Sequence, residues 1–179
     1  IKSIRGSDPD ATLYWLARML EAGEDPLFII RRMVIAAAED VGLADPRALM
    51  LAVSCQQAVH FVGMPEGWIP MAECATYLAL APKSNSTYAA YQKAKEAALR
   101  TAHLPVPLHL RNAPTGLMKS MGYGAGYRYA HSEPEHFARG ERYLPEELGV
   151  AQYYDPGSLG FEAAAAARLR ALSGSPPDP

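Results

Sequence analysis

Three times in its first third the chain places aspartate directly before proline, at Asp8-Pro9, Asp25-Pro26 and Asp45-Pro46. An Asp carboxylate accepts from the free N–H groups of a helix's first turn, and Pro at the first helical position has no donor to lose and a φ already near the helical value. Each pair therefore opens a helix. The stops agree, because Gly23, Gly42 and Gly63 each follow an apolar-periodic run and can take the left-handed conformation that closes a helix. This predicts helices near 9–22, 26–41 and 46–62. Leu13, Leu16, Ala17 and Leu20 share one face of the first, Ile30, Met33, Val34 and Ala37 of the second, and Ala48, Leu51, Ala52 and Cys55 of the third. Short connections predict that neighbours pack as hairpins.

A fourth helix is expected over about 67–81, with Met71, Cys74, Ala75 and Leu78 on one face and Pro82 ending it. A fifth, opened by Asn85 or Ser86, runs to about 102. Its Lys93, Lys95 and Arg100 alternate with alanines and with Tyr88 and Tyr91, so at least one side is solvated or faces a partner. From Leu104 the texture changes to recurrent proline at 105, 107, 114, 134 and 145. Here the expectations are a short helix from Pro114 or Thr115 to Met121, a tight turn with some extended structure around Tyr123 to Ala130, and a last Ala-rich helix near 160–172. The tail SGSPPDP is too polar and proline-rich to order itself. The fold class is all-α, with about six or seven helices in hairpins or a bundle, wrapped by the proline-rich, mostly irregular stretch 104–158. No internal repeat is present.

At 179 residues and 49% hydrophobic content the chain can bury a real core. No run approaches the roughly 18 apolar residues of a membrane span, and IKSIRGSDPD is no signal peptide. The chain also lacks an initiator Met, as a fragment would. Cys55 and Cys74 both fall in apolar helical patterns, where a free thiol acts as a small buried hydrophobe, and a reducing cytoplasm suits them. Asn85-Ser86-Thr87 matches a glycosylation pattern but serves better as a helix start.

The candidates for chemistry fail on spacing. GYGAGYRYAH, Gly122 to His131, carries three alternate glycines shortly after Lys119-Ser120, yet a phosphate loop sets Gly immediately before Lys-Ser or Lys-Thr, whereas Met118 stands there. HSEPEH holds His131, Glu133, Glu135 and His136, but Pro134 forbids the helical i, i+4 histidine pair of zinc sites, which favours a solvated loop. Gly157-Ser158-Leu159-Gly160 is one residue short of the strained serine turn of acyl-transfer enzymes. Glu39-Asp40 and Glu146-Glu147 read as solvated charge or caps. Neither a catalytic site nor a cofactor or metal is expected.

Charge is uneven along the chain. Residues 1–82 carry six basic and ten acidic side chains, whereas 83–132 carry Lys83, Lys93, Lys95, Arg100, Arg111, Lys119 and Arg128 against Glu96 alone. Tyr88, Tyr91, Tyr123, Tyr127 and Tyr129 interleave with these cations. Phosphates attract Lys and Arg, and exposed bases stack on flat side chains, so this segment is a candidate DNA contact. The competing reading is a solvated face, or one paired with the acidic N-terminal part of a neighbouring subunit.

SIRGSDPDATLYWLARMLEAGEDPLFIIRRM, AAEDVGLADPRAL, YLALAPKSNSTYAAY, VPLHLRNAPTGLMKSMGYGAGYRYAH and YLPEEL resemble, in this order, the C-terminal part of the replication-associated recombination protein A family. These are bacterial AAA+ ATPases related to clamp-loader subunits and to the Werner-helicase-interacting protein. The resemblance runs from Ile1 to about Tyr154. It implies a protein of stalled or damaged forks whose full-length form hydrolyses ATP in response to DNA, with its Walker motifs N-terminal to this chain. It further implies that 1–22 ends the helical lid, that 23–158 is a C-terminal oligomerisation domain and that 159–179 is a final helix and disordered tail. A homotetramer is implied, with Tyr14, Trp15, Met19 and Phe28 on apolar helices as candidate interface, and fork proteins such as single-stranded-DNA-binding protein as partners. Glu73 and Cys74 depart from the small apolar residues more usual in the family. GYGAGYRYAH is similar to a family signature outside the nucleotide site, so its glycines serve backbone turns.

Overall fold

In the computed structural model, which describes residues 1–174, all seven expected helices form and an eighth precedes them. They are α1 (Lys2–Arg5), α2 (Pro9–Glu21), α3 (Pro26–Ala36), α4 (Arg47–Val62), α5 (Trp68–Leu80), α6 (Ser86–Arg100), α7 (Gly116–Ser120) and α8 (Phe161–Ser173). No strand occurs among the described residues. The disorder expected of the final residues falls on 175–179, outside the described residues.

The punctuation works as its chemistry requires. Asp8 accepts from the Ala11 N–H at 2.9 Å, Asp25 from Leu27 and Phe28 at 3.0 and 3.2 Å, and Asp45 from Arg47 at 3.2 Å. At the other end of α2 the Glu24 N–H reaches the Met19 carbonyl and the Gly23 N–H that of Leu20, a paired closure that needs the φ of +82° at Gly23. Past Ala36 the expected second helix widens into one π-helical turn, Ala37–Val41. That turn tucks Asp40 inward, where Arg5 donates to both carboxylate oxygens at 2.6 and 3.3 Å. The reading of Glu39-Asp40 as solvated charge or caps is thereby corrected at Asp40.

The chain divides into two compact units. The first is Ile1–Tyr91 with Tyr154–Ala167. Its centre is α5, whose Met71, Cys74, Ala75 and Leu78 are at most 1% exposed and pack with Ile30, Met33, Ala48, Ala52 and Cys55. Hairpin packing holds for α3 with α4 and α4 with α5, but α2 lies chiefly on α5, not on its neighbour α3. A helix apolar enough to be covered from several sides recruits partners by burial, not by order along the chain. Residues 1–22 pack within this unit.

The free cysteines face each other across the α4–α5 seam, with the Cys55 thiol donating to the Pro70 carbonyl at 3.3 Å. The hydrogen bond that the Cys74 thiol donates to the Cys55 sulfur, together with burial, pushes the Cys74 thiol well above its ordinary value, so it behaves as packing material. Also fully buried is Glu162, at the start of α8. Its carboxylate accepts from the Tyr154 hydroxyl at 2.9 Å, the Gly157 N–H at 3.1 Å and the Ser86 hydroxyl. Burial alone would raise its pKa, but Ser84 together with these donors holds it below the ordinary value.

The second unit is Gln92–Tyr153 with the chain from Arg168 on. Among its described residues only Ala97 and Ala138 are buried. Arginine side chains hold its turns instead. Arg111 donates to the Val106 carbonyl at 2.6 Å, Arg128 to that of Arg139 at 2.8 Å, Arg139 to Leu172 at 2.8 Å and Arg142 to Gly149 at 2.9 Å. Around Tyr123 to Ala130 the backbone is a turn as far as Gly126, then irregular chain over 127–129 with Tyr129 extended, and it pairs into no strand.

Candidate functional site

The seven cations of the basic segment fall into two classes. Three are spent on structure. Lys83 donates to Ser7 Oγ at 3.2 Å and to the carbonyls of Ala79 and Ala81 at 2.9 and 2.5 Å, closing the C-terminal end of α5, and partial burial lowers its pKa. Arg111, besides its carbonyl bond, lies over the Tyr123 ring at 5.0 Å and donates to its hydroxyl. Arg128 is held by Glu133 at 2.8 Å. A charge whose donors already close turns has little left for a phosphate.

Lys93, Lys95, Arg100 and Lys119 remain. All four are exposed, and none of the three lysine side chains has an ion pair or hydrogen bond among the described residues. Arg100 pairs only with Glu96, at 3.9 Å and in full solvent, an interaction worth a few tenths of a kcal/mol. Helical register separates the three on α6. Lys93 and Arg100, seven residues apart, lie on one side, whereas Lys95 lies on nearly the opposite side in line with Tyr91 and Leu99. They form two edges, which alternation along the sequence does not reveal.

GYGAGYRYAH has the backbone of a turn. Gly122, Gly124 and Gly126 have φ of +82°, +72° and +80°, a region closed to most side chains. Its amides point at carbonyls: Tyr123 to Met118, Gly124 to Leu108, Ala125 to Gly122 and Tyr127 to Gly124, at 2.9 to 3.3 Å. They are unavailable to an anion. Two residues on, Tyr129, His131 and His136 form a row of exposed rings, with centroids 5.1 and 5.2 Å apart. No group of three or more His, Cys, Asp or Glu side chains is placed to hold a metal among the described residues.

Tyr14, Trp15, Met19 and Phe28 are all exposed, at 37 to 56%. Trp15 meets Tyr14 edge to face at 5.2 Å, and Arg18 and Arg31 lie over the Trp15 and Phe28 rings at 5.6 and 5.9 Å. Trp15, Met19 and Phe28 rim an open cavity of about 240 Å³ floored by Ile4 and Met33. A second apolar surface escaped the sequence reading. Between α4 and α5 the stretch FVGMPEGWI exposes Phe61 at 91%, with Met64, Trp68 and Ile69 near half. The available signal was five large apolar residues and one charge spanning the end of α4, a short connection and the start of α5.

The family model described as MgsA AAA+ ATPase C terminal matches residues 6–173. Replication-associated recombination protein A of Haemophilus influenzae is 50% identical over 96% of this chain and 38% of its own length. The protein of that name from Escherichia coli K12 is 48% identical over the same shares. ATPase WRNIP1 of Dictyostelium discoideum is 51% identical over 86% of this chain and 18% of its own. The chain thus spans less than two fifths of the curated relatives it matches.

Proposed function

The chain belongs to the MgsA AAA+ ATPase C-terminal family, and from that premise we propose that it is the assembly module of a replication-associated recombination ATPase, joining four copies into a homotetramer. The whole protein hydrolyses ATP at a site outside this chain, whose sequence holds no Gly-Lys-Ser/Thr element. In this reading α1 and α2 are the end of the helical lid of the ATPase core. A cytoplasmic setting and fork partners such as single-stranded-DNA-binding protein follow from the same premise.

The observation that carries the reading is the second unit's lack of a core. Val106, Leu117, Met121 and Val150 are 55% or more exposed there, while the two buried among its described residues are alanines. Each such side chain contributes about 1.5–3 kcal/mol when fully covered, so several together offset an association cost on the order of 4–15 kcal/mol. Tyr14, Trp15, Met19 and Phe28 offer a second area of the same kind on the first unit. Sedimentation equilibrium tests this: a tetramer is expected at micromolar concentration, and monomer alone would contradict it.

A second reading, an auxiliary DNA contact, draws on the unpartnered Lys93, Lys95 and Lys119 together with Arg100. Four copies multiply a weak charge contact. Reversing Lys93 and Arg100 to Glu, and separately Lys95, should weaken binding alike for all sequences and flatten its salt dependence. Unchanged affinity and salt slope in both, with assembly intact, would leave the scaffold reading alone.

A further inference from the structure

The row of rings at Tyr129, His131 and His136 serves no core. A short 3₁₀ turn, Ala130–Ser132, and a left-handed turn at Glu135 and His136 set the rings side by side with interplanar angles of 46° and 53°, tilted and not stacked face to face. Holding them there takes an unusual backbone. Glu135 and His136 have φ of +58° and +53°, two successive residues in a region that non-glycine side chains rarely adopt, and such outliers gather at functional sites. Polar contacts fix the frame: Arg128 with Glu133 at 2.8 Å, Arg139 with Glu135 at 2.9 Å, and the His136 ring nitrogen Nδ1 with the His131 carbonyl at 3.2 Å.

We propose that this row is a stacking platform for the bases of a single strand of nucleic acid. Flat rings with open faces are what unpaired bases stack on, whatever their sequence. A protein-docking patch would centre on aliphatic or Trp anchors, and residues 127–136 contain no Leu, Ile, Val, Met or Trp. The guanidiniums of the frame, of Arg128 and Arg139, are each paired with a carboxylate. The platform therefore reads rings and adds little to salt dependence, which separates it from the lysine contacts of α6. It does not depend on the assembly reading.

The test titrates the full 179-residue chain against fluorescein-labelled oligo(dT) of twenty nucleotides by anisotropy, with a duplex control. Changing Tyr129, His131 and His136 together to Ala should weaken single-strand binding about tenfold or more with an unchanged salt slope, while Tyr129→Phe stays within about twofold of the parent. Circular dichroism checks folding, and if the triple variant unfolds, His131→Ala alone replaces it, with about threefold expected. The proposal fails if the parent binds no oligo(dT), if removing the rings leaves affinity unchanged, or if Tyr129→Phe loses as much as the triple change. It fails equally if the loss comes with an altered sedimentation coefficient, which would make the row a subunit contact.

Discussion

The two units reach their turns and helices by opposite means. The first surrounds α5 with apolar side chains and buries Ile30, Met71 and Leu78 almost completely. The second has two buried alanines among its described residues and ties its loops with guanidinium-to-carbonyl bonds from Arg111, Arg128, Arg139 and Arg142. Apolar burial pays with every methylene and needs no particular geometry, whereas a charge-assisted bond is directional and contributes about 1.5–3 kcal/mol at most. A unit knit this way holds a shape yet leaves side chains such as Val106, Leu117 and Val150 exposed. The difference also teaches how to read a basic segment: an excess of Lys and Arg can be scaffold, and only the cations without carbonyl or carboxylate partners are left for an outside anion.

The largest expected effect breaks the first unit. Leu78→Ala removes a side chain with no exposure from the middle of α5, and should cost about 2–5 kcal/mol, read as a lower urea midpoint. An equal loss on changing Leu117 would erase the contrast between the units.

Asp45 gives an intermediate effect. Bonds from Arg47 at 2.8 and 3.0 Å, helped by the Tyr77 hydroxyl at 2.6 Å, hold its carboxyl down at about 2. A folded-state pKa below the unfolded one contributes stability that is present above pH 4 and is lost as pH falls toward 2. Because Arg47 is 75% exposed, solvent screening discounts the effect to about 1–2 kcal/mol. Asp45→Asn should lose that amount at pH 7 and flatten the stability profile between pH 4 and 2. A profile as steep as the parent's would assign the acid sensitivity elsewhere.

The smallest effect sharpens the comparison from the other side. Leu117→Ser with Val150→Ser, at positions 71% and fully exposed, should change unfolding of the dilute monomer by less than about 0.5 kcal/mol. The same pair should loosen self-association in sedimentation. A large stability loss in the monomer would mean that the second unit has a core of its own.

Much of the first unit was legible because its signals are local. An Asp-Pro pair acts on the N–H groups of the next turn, a glycine on the carbonyls just before it, and a 3.6-residue period on one face of one helix. The burial of Asp40 and Glu162 was not, since each depends on partners far along the chain: Arg5 for one, and Ser86 for the other. The candidate cations were half legible. Their charge shows in the sequence, but which of them are free depends on where carbonyls of other turns come to rest, as for Arg111 with Val106 and Arg128 with Arg139.

By itself the sequence determined seven of the helices, most of their stops and the turn character of GYGAGYRYAH, all written in residues within a few positions of one another, and the family through several such strings in order. Tertiary structure alone decided that α2 packs on α5, that Lys83, Arg111 and Arg128 are structural, and that Tyr129, His131 and His136 stand in a row. Long-range contacts form where burial and hydrogen bonding are best satisfied over the whole chain at once, and no short stretch of residues encodes that sum.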